Sequence, residues 1–349
     1  MNVSDFWFDL PAELVAQSPS PARGGSRLLV LHKGSGEVEH THVSRLPEFF
    51  RDGDLLVVND TKVFPARLLG ERTPGGGAVE CLLLSNLDEH ERWDALVHPG
   101  QKLQPGSQMI FRGGRHVLYA EVLDRHFHGR RTVRLWSDPG VSVDAAIDDI
   151  GHIPLPPYIK REDMESDRER YQTVYARERG SVAAPTAGLH FTPELLDALS
   201  ARGVERTSIT LHVGYGTFRP IRVDRVEAHT VDAERFSISE AAAVAINRAK
   251  RDRRRIVAVG TTTTRALEAA GRAGRGIITP QSAWTDLFLY PGSKFVMVDA
   301  LMTNFHLPQS SLLMLVCAFG GQDRVLAAYR DAVARQYRFY SYGDAMLIC

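Results

Sequence analysis

The groups best suited to chemistry in this chain of 349 residues sit in short polar loops, each beside an apolar run. Residues 180–192 read Gly-Ser-Val-Ala-Ala-Pro-Thr-Ala-Gly-Leu-His-Phe-Thr. Small residues let a backbone approach a ligand closely, and this loop empties into a helix start at Thr192-Pro193-Glu194. The free N–H groups and partial positive charge of such a start suit a carboxylate or a phosphate. Thr186 adds a hydroxyl, Phe191 a ring, and His190 a proton carrier at the helix mouth. A tight loop with a capped helix and a hydrogen-bonded histidine is the plainer reading of the same residues. A second stretch, His212-Val213-Gly214-Tyr215-Gly216-Thr217-Phe218, ends a strand on an imidazole and then turns with exposed amides and a hydroxyl. An ordinary strand-to-turn transition accounts for it equally well. His229-Thr230-Val231-Asp232-Ala233-Glu234 holds side chains able to act as general acids or bases, a mix that a solvent-facing segment also shows. No metal is expected there, because the chain offers too few further ligands nearby.

Gly260 is followed by four threonines, Thr261, Thr262, Thr263 and Thr264. Threonine is a modest helix former, so the run points to hydroxyls and amides that hold a carboxylate, ribose or phosphate, or else to capping and methyl packing. Thr285-Asp286-Leu287-Phe288-Leu289-Tyr290-Pro291-Gly292 reads as a short strand with an acid at one end and a turn at the other. Thr303-Asn304-Phe305-His306-Leu307-Pro308 sets amide, aromatic and imidazole groups before a helix near Ser310. Phe191, Phe305, Tyr290 and Tyr342 are candidates to stack on a base, and each also suits a core. The chain has no Walker loop, no Gly-x-Gly-x-x-Gly opening a dinucleotide fold, no His-Glu-x-x-His, no Gly-x-Ser-x-Gly and no Cys-x-x-Cys. The residues alone therefore describe an enzyme acting on a polar ligand with a base to stack, and leave its reaction open.

The elements that must position these loops follow from hydrophobic pattern. Residues 26–31 and 54–60 read as strands, the second ending on the polar Asn59-Asp60. After Gly70 the character changes. Residues 79–84, 93–97, 109–111, 117–122 and 132–136 alternate in short stretches, separated by Pro74-Gly75-Gly76-Gly77, Pro99-Gly100, Pro105-Gly106 and Gly113-Gly114. Such spacing predicts a small β-barrel or sandwich. The pattern then returns to α/β, with helices from Thr192, over 239–250, from Thr261 and over 325–334, strands over 206–212 and 256–260, and a final strand in the aromatic tail from Tyr337. The expected fold is thus a mixed α/β main domain of residues 1–64 and 151–349, interrupted by an inserted all-β barrel over 65–150. Residues 312–319 fit a buried helix or strand. Residues 151–159, Gly-His-Ile-Pro-Leu-Pro-Pro-Tyr-Ile, form a proline-braced return between the two parts, a favoured place for a ligand.

Composition narrows the class. Hydrophobic residues at 44% and charged residues at 24% are ordinary globular usage, which excludes a disordered, collagenous or coiled-coil protein. The 42 basic and 42 acidic residues balance, so any polyanion must be met by local charge, as in the clusters at 250–255 and 125–134. Three cysteines, far apart, offer neither a disulfide framework nor a zinc spacing. No apolar run approaches the ~20 residues of a membrane span, and the amino terminus lacks the pattern of a signal peptide. A cytoplasmic, membrane-free protein is expected.

Taken in order, these stretches resemble the S-adenosylmethionine:tRNA ribosyltransferase-isomerases of the queuosine pathway. The resemblance runs through Phe8-Asp9-Leu10-Pro11, Leu14-Val15-Ala16-Gln17, Ser26-Arg27-Leu28-Leu29, Val58-Asn59-Asp60-Thr61-Lys62-Val63, Pro65-Ala66-Arg67, residues 151–158 and Tyr171-Gln172-Thr173-Val174-Tyr175-Ala176. It continues through residues 180–192, 212–218, 259–265, 285–288 and 303–308, then Tyr337-Arg338-Phe339 and residues 341–347. One position departs: where the family has His-x-Met-His-x-Glu, this chain has Asp232 in place of the second histidine.

The resemblance implies S-adenosylmethionine as co-substrate, no metal, and a partner tRNA carrying 7-aminomethyl-7-deazaguanine at the wobble position, with the protein acting as a monomer. The ribosyl carbons pass to the aminomethyl group, giving epoxyqueuosine and releasing adenine and methionine. Such chemistry asks for a base near the acidified ribose CH₂, an acid for adenine, and fixed dipoles for transient oxyanions. His190 and His212 lead the proton-transfer candidates, followed by His229, His306, Asp60 and Asp286. Thr261 to Thr264 would hold the methionine carboxylate, Phe191 or Phe305 a base, and Arg67, Arg265 and Arg338 phosphates. Thr186, Gly214, Gly216 and Thr217 complete the expected binding set. An RNA methyltransferase lacks support because the glycine-rich S-adenosylmethionine turn is missing; an RNA-binding module is the non-enzymic alternative.

Overall fold

Apolar runs bounded by polar residues become strands buried along their whole length. Leu55–Asn59, Ile256–Val259, Ala300–Asn304 and Ala345–Ile348 have no exposed position. In the computed structural model, which describes residues 1–88, 91–218 and 220–349, they form the middle of a nine-stranded mixed sheet. Its order is Gln281–Thr285, Glu234–Ile238, Glu205–Leu211, Leu55–Asn59, Ile256–Val259, Ala300–Asn304, Ala345–Ile348, Arg27–Leu31 and Val38–His42. The strands Glu205–Leu211, Leu55–Asn59, Ile256–Val259 and Ala300–Asn304 run parallel, so their carboxyl ends share one edge.

Burial of both faces requires helices on both sides. One face packs on Glu240–Arg251, Thr261–Ala273, Ser311–Gly320 and Gln322–Ala334. The other packs on Pro193–Ala201 and the 3₁₀ turn Val43–Phe49. The hydroxyls of Ser239, Ser310 and Thr192 each accept the backbone N–H three residues on, which fixes where these helices begin. Among the described residues no single helix is long and apolar enough to cross a membrane.

The second unit is a closed barrel of six antiparallel strands: Arg130–Ser137, Arg92–His98, Ala78–Asn86, Arg67–Thr73, Gln108–Arg112 and Val117–Arg125. The chain leaves the main sheet region after Thr61–Val63 and returns to pair Glu178–Ser181 parallel to that same strand. Helix Val143–Ile150 packs into the barrel's core. The fold class is as the pattern predicts, with local corrections. The first barrel strand, Arg67–Thr73, straddles Gly70 and so precedes the alternating stretches expected from residue 79; a Cβ at Gly70 would lie 2.2 Å from the Ile110 carbonyl oxygen, so only glycine fits against the neighbouring strand. Strand Gln281–Thr285 ends where a strand was expected to start, and residues 286–292 are irregular. Strands Val38–His42 and Ala300–Asn304 were not foreseen.

Candidate active site

In open sheets ligands lie beyond the carboxyl ends of parallel strands, and the polar loops converge there. A small recess of about 40 Å³ is lined by residues 184–187, Val213, Thr217, Gly260, Thr261, Thr262, Thr303, Asn304, His306, Tyr340 and Ser341. Through Thr217 and Leu312 it joins a cleft of about 670 Å³ walled by residues 228–232, Glu234, Arg265 and residues 287–289. That cleft shares Leu96, Pro157 and Tyr215 with a third hollow of about 690 Å³, which lies between the barrel and residues 153–157. The three form one trough from the threonine-rich helix start to the barrel wall.

The helix Thr261–Ala273 begins directly off strand Ile256–Val259, a turn made possible by Gly260 at φ +92°. The Thr263 hydroxyl donates to the Val259 carbonyl at 2.6 Å and that of Thr264 to Gly260 at 3.1 Å. These two therefore serve the helix, while Thr261 and Thr262 front the recess. Gly260 offers no side-chain cap to the first turn.

His190 lies behind the recess rather than at a helix mouth, and His306 lines it. The Thr186 hydroxyl donates to Asn304 Oδ1 at 2.9 Å, which turns the amide nitrogen toward His190 Nε2 at 3.0 Å. This order of donors makes Nε2 the acceptor and leaves the proton on Nδ1. His306 Nε2 meets the Thr303 hydroxyl at 2.9 Å. Burial pushes the His190 imidazole down to about 4 and that of His306 to about 3. Both rings are neutral props for Asn304 and Thr303. In the unfolded chain these rings take up protons near pH 6.5, whereas in the fold they resist until the lowered values. Stability attributable to them is present above pH 6.5 and falls as acid is added, by about 1.4 kcal/mol per pH unit for each ring. Urea unfolding from pH 7 to 4 should show this slope, and the variant His306→Gln should show a shallower one; equal slopes would refute the assignment.

The cleft wall is built around Glu234. Its Oε1 accepts the Gly214 N–H and the Thr217 hydroxyl, each at 2.9 Å, and its Oε2 meets the Arg265 guanidinium at 2.5 Å. Arg265 Nε donates to the Leu287 carbonyl at 2.9 Å. Arg265 is thus a buried ion-pair partner that ties two loops together, and not a free phosphate contact. His229 stands in the same wall, half-buried, its ring edge-to-face with Phe288 at 5.1 Å. Burial lowers its pKa from 6.5, so it is a neutral base at physiological pH. Asp232 and Gly216 face each other beside it.

Other expected site residues lie elsewhere. His212 Nδ1 bonds the Thr61 hydroxyl at 2.8 Å, lines none of the three hollows, and has its pKa lowered by burial and by Arg235. Asp60 is buried against the Thr210 hydroxyl at 2.7 Å and Arg177 at 2.9 Å. Asp286 is exposed and outside the trough. The rings of Phe191 and Phe305 are wholly buried, the first against Tyr175 and the second among Tyr329, Tyr337 and Phe339, so neither offers a face to a base. Arg67 lines the hollow beside the barrel but is paired with Glu80 at 2.9 Å, and Arg338 donates to the carbonyls of Ser18 and Tyr342. Asn304 and Glu234, which the sequence offers only as an amide beside His306 and as one of several possible acids or bases, emerge as the groups that tie the site together. Asn304 ends a strand inside a matched stretch, and Glu234 opens one within the motif around His229. Among the described residues no group of three or more His, Cys, Asp or Glu side chains is arranged to hold a metal.

Comparison with known proteins shows the family. The family model described as queuosine biosynthesis protein matches residues 3–348. A relative from Symbiobacterium thermophilum, named S-adenosylmethionine:tRNA ribosyltransferase-isomerase, is 52% identical over 348 residues, 100% of each chain. One of the same name from Natranaerobius thermophilus is 47% identical, covering 100% of this chain and 99% of its own. The crystal structure of an S-adenosylmethionine tRNA ribosyltransferase from Thermotoga maritima is 37% identical, with a TM-score of 0.56 over 99% of this chain and 100% of that one.

Proposed function

The chain belongs to the queuosine biosynthesis protein family, and from that premise we propose that its trough passes the ribosyl carbons of S-adenosylmethionine to 7-aminomethyl-7-deazaguanine at the wobble position of a tRNA. It is an enzyme of the S-adenosylmethionine:tRNA ribosyltransferase-isomerase kind. In the proposed reaction the RNA gains epoxyqueuosine, and adenine and methionine leave. The sulfonium acidifies the adjacent ribose CH₂, so a base that removes this proton forms a stabilised carbanion that opens the sugar ring. Methionine then departs as a neutral thioether.

The observation that carries the reading is the continuity of the trough. Its volumes fall in the range of small-molecule sites, and it runs from a helix start to a hollow large enough for a base. Thr261, Thr262 and the first turn of their helix seat the methionine carboxylate. His229, neutral in the wall, takes the ribose proton. Thr217 and the Gly214 turn, fixed by Glu234, hold the sugar's oxygens. The RNA base reaches the trough from the barrel side, past Tyr215 and Pro157. The proposal places the protein in the cytoplasm as a monomer.

One assay separates the readings. Modified tRNA is incubated with S-adenosylmethionine labelled either in the ribose or in the methyl group. Ribose label in RNA together with free adenine is the expected result. Methyl label in RNA would make the protein a methyltransferase, and binding without either label would reduce it to an RNA-binding module.

A further inference from the structure

One sheet face beside the trough is left without a covering helix. The strands Glu205–Leu211, Glu234–Ile238 and Gln281–Thr285 bury Leu211, Phe236 and Ile238 on one side, against Ala242, Ala243 and Ile246 of helix Glu240–Arg251. Their other side carries polar and aromatic groups in register. Ser237 pairs with Thr210 and with Ser282, and Arg235 pairs with Trp284. His212 donates its backbone N–H to the Arg235 carbonyl at 3.0 Å, which completes a rung of imidazole, guanidinium and indole across three strands. Trp284 is 65% exposed, a placement that a lone core residue does not adopt.

Resting on the ribosyl-transfer reading, we propose that this open face is the seat for tRNA nucleotides next to the modified base, with Trp284 stacking on a base and Arg235 and Arg206 meeting phosphates. Three facts carry this. First, the seat lies close to the reaction site along the chain: Leu287 and Phe288, three and four residues beyond Trp284, line the cleft, while Glu234 on the next rung points to the opposite face of the sheet. Second, the charge suits a polyanion. The carboxylates near His212 are Asp60 and Glu178, and each is paired with Arg177 at 2.9 Å. Arg206 and Arg235 are exposed and have no carboxylate partner among the described residues. Third, the face gives His212 a use that the trough does not. Thr61 fixes one side of its ring and the backbone of Gly180 covers it, so the histidine shapes the inner end of the rung. A stacking ring beside guanidinium groups is the usual means of holding single-stranded RNA. A second copy of this chain, paired along the edge strand Gln281–Thr285, is the alternative occupant that the sedimentation arm of the test addresses.

The test is the affinity for the tRNA of the labelling assay, measured across a salt series. Trp284→Ala should weaken binding about tenfold with the salt slope unchanged. Arg235→Ala should weaken it and lower the slope of log affinity against log salt by about 0.7–0.9. Trp7→Ala, which removes another exposed indole, should bind as the parent does. Unchanged affinity in both the Trp284 and Arg235 variants would overturn the proposal. So would a Trp284 variant whose only loss is concentration-dependent self-association in sedimentation. A parent protein that binds tRNA but transfers no ribose label removes the functional reading, while weakened binding by the Trp284 variant would still assign this face to RNA.

Discussion

Replacing His229 by alanine should lower turnover at saturating S-adenosylmethionine and tRNA by at least ~10²-fold, the usual contribution of a positioned general base. The effect should be on kcat rather than on thermal stability, because the ring is half-buried, and its neighbour Phe288 also packs on Tyr290. The pH profile carries a second signature. A base works only when neutral, and burial holds this imidazole below the ordinary 6.5. Activity should therefore persist as pH falls through 6.5 and decline only at the lowered value. In His229→Ala that acidic limb should disappear from whatever rate remains. An alanine variant with parental turnover, or one that keeps the limb in place, would move the proton transfer to another group. The choice of His229 over its neighbours is steric and electrostatic. His190 and His306 titrate near 4 and 3 and are bonded to Asn304 and Thr303, and His212 faces away from the trough. Asp232 occupies the position where the resembling family has a second histidine, which leaves His229 the imidazole in the cleft wall.

That ordering could not be read from sequence, although the loops could. The motifs around residues 186, 217, 229, 261 and 304 do converge: 261 and 304 stand at the carboxyl ends of parallel strands, 217 in the turn after another, 229 ahead of a strand antiparallel to it, and 186 in the turn bonded to Asn304. The barrel was legible for a similar reason: glycine and proline turns mark its hairpins. Which histidine faces a ligand depends on contacts across long stretches of chain. The partner of His190 is 114 residues away and that of His212 is 151 away. The arginines show the same limit. Arg67, Arg265 and Arg338 stand in matched stretches and look like phosphate ligands, yet each is engaged by a carboxylate or by carbonyls of this chain. Conversely, Trp284 and Arg235 gave no signal, because register between two strands decides that they stand side by side.

The ion pair of Glu234 and Arg265 is the second place where one substitution should have a large effect. The side chains are 4% and 8% exposed, and the carboxylate is also the acceptor for Gly214 and Thr217. Arg265→Met leaves that charge buried without its counter-ion, which should cost about 3–5 kcal/mol in denaturant unfolding. It should also abolish turnover, since the turn that borders the cleft loses its anchor. A destabilised protein is inactive for trivial reasons, so the double variant Glu234→Leu with Arg265→Met decides the matter. Removing both charges eliminates the unpaired carboxylate, and stability should return to within about 1–2 kcal/mol of the parent. Activity should not return, because Gly214 and Thr217 then lack the acceptor that holds them toward the sugar. A double variant that regains both stability and turnover would show the pair to be structural alone, and would separate the geometry of this turn from the chemistry of the cleft.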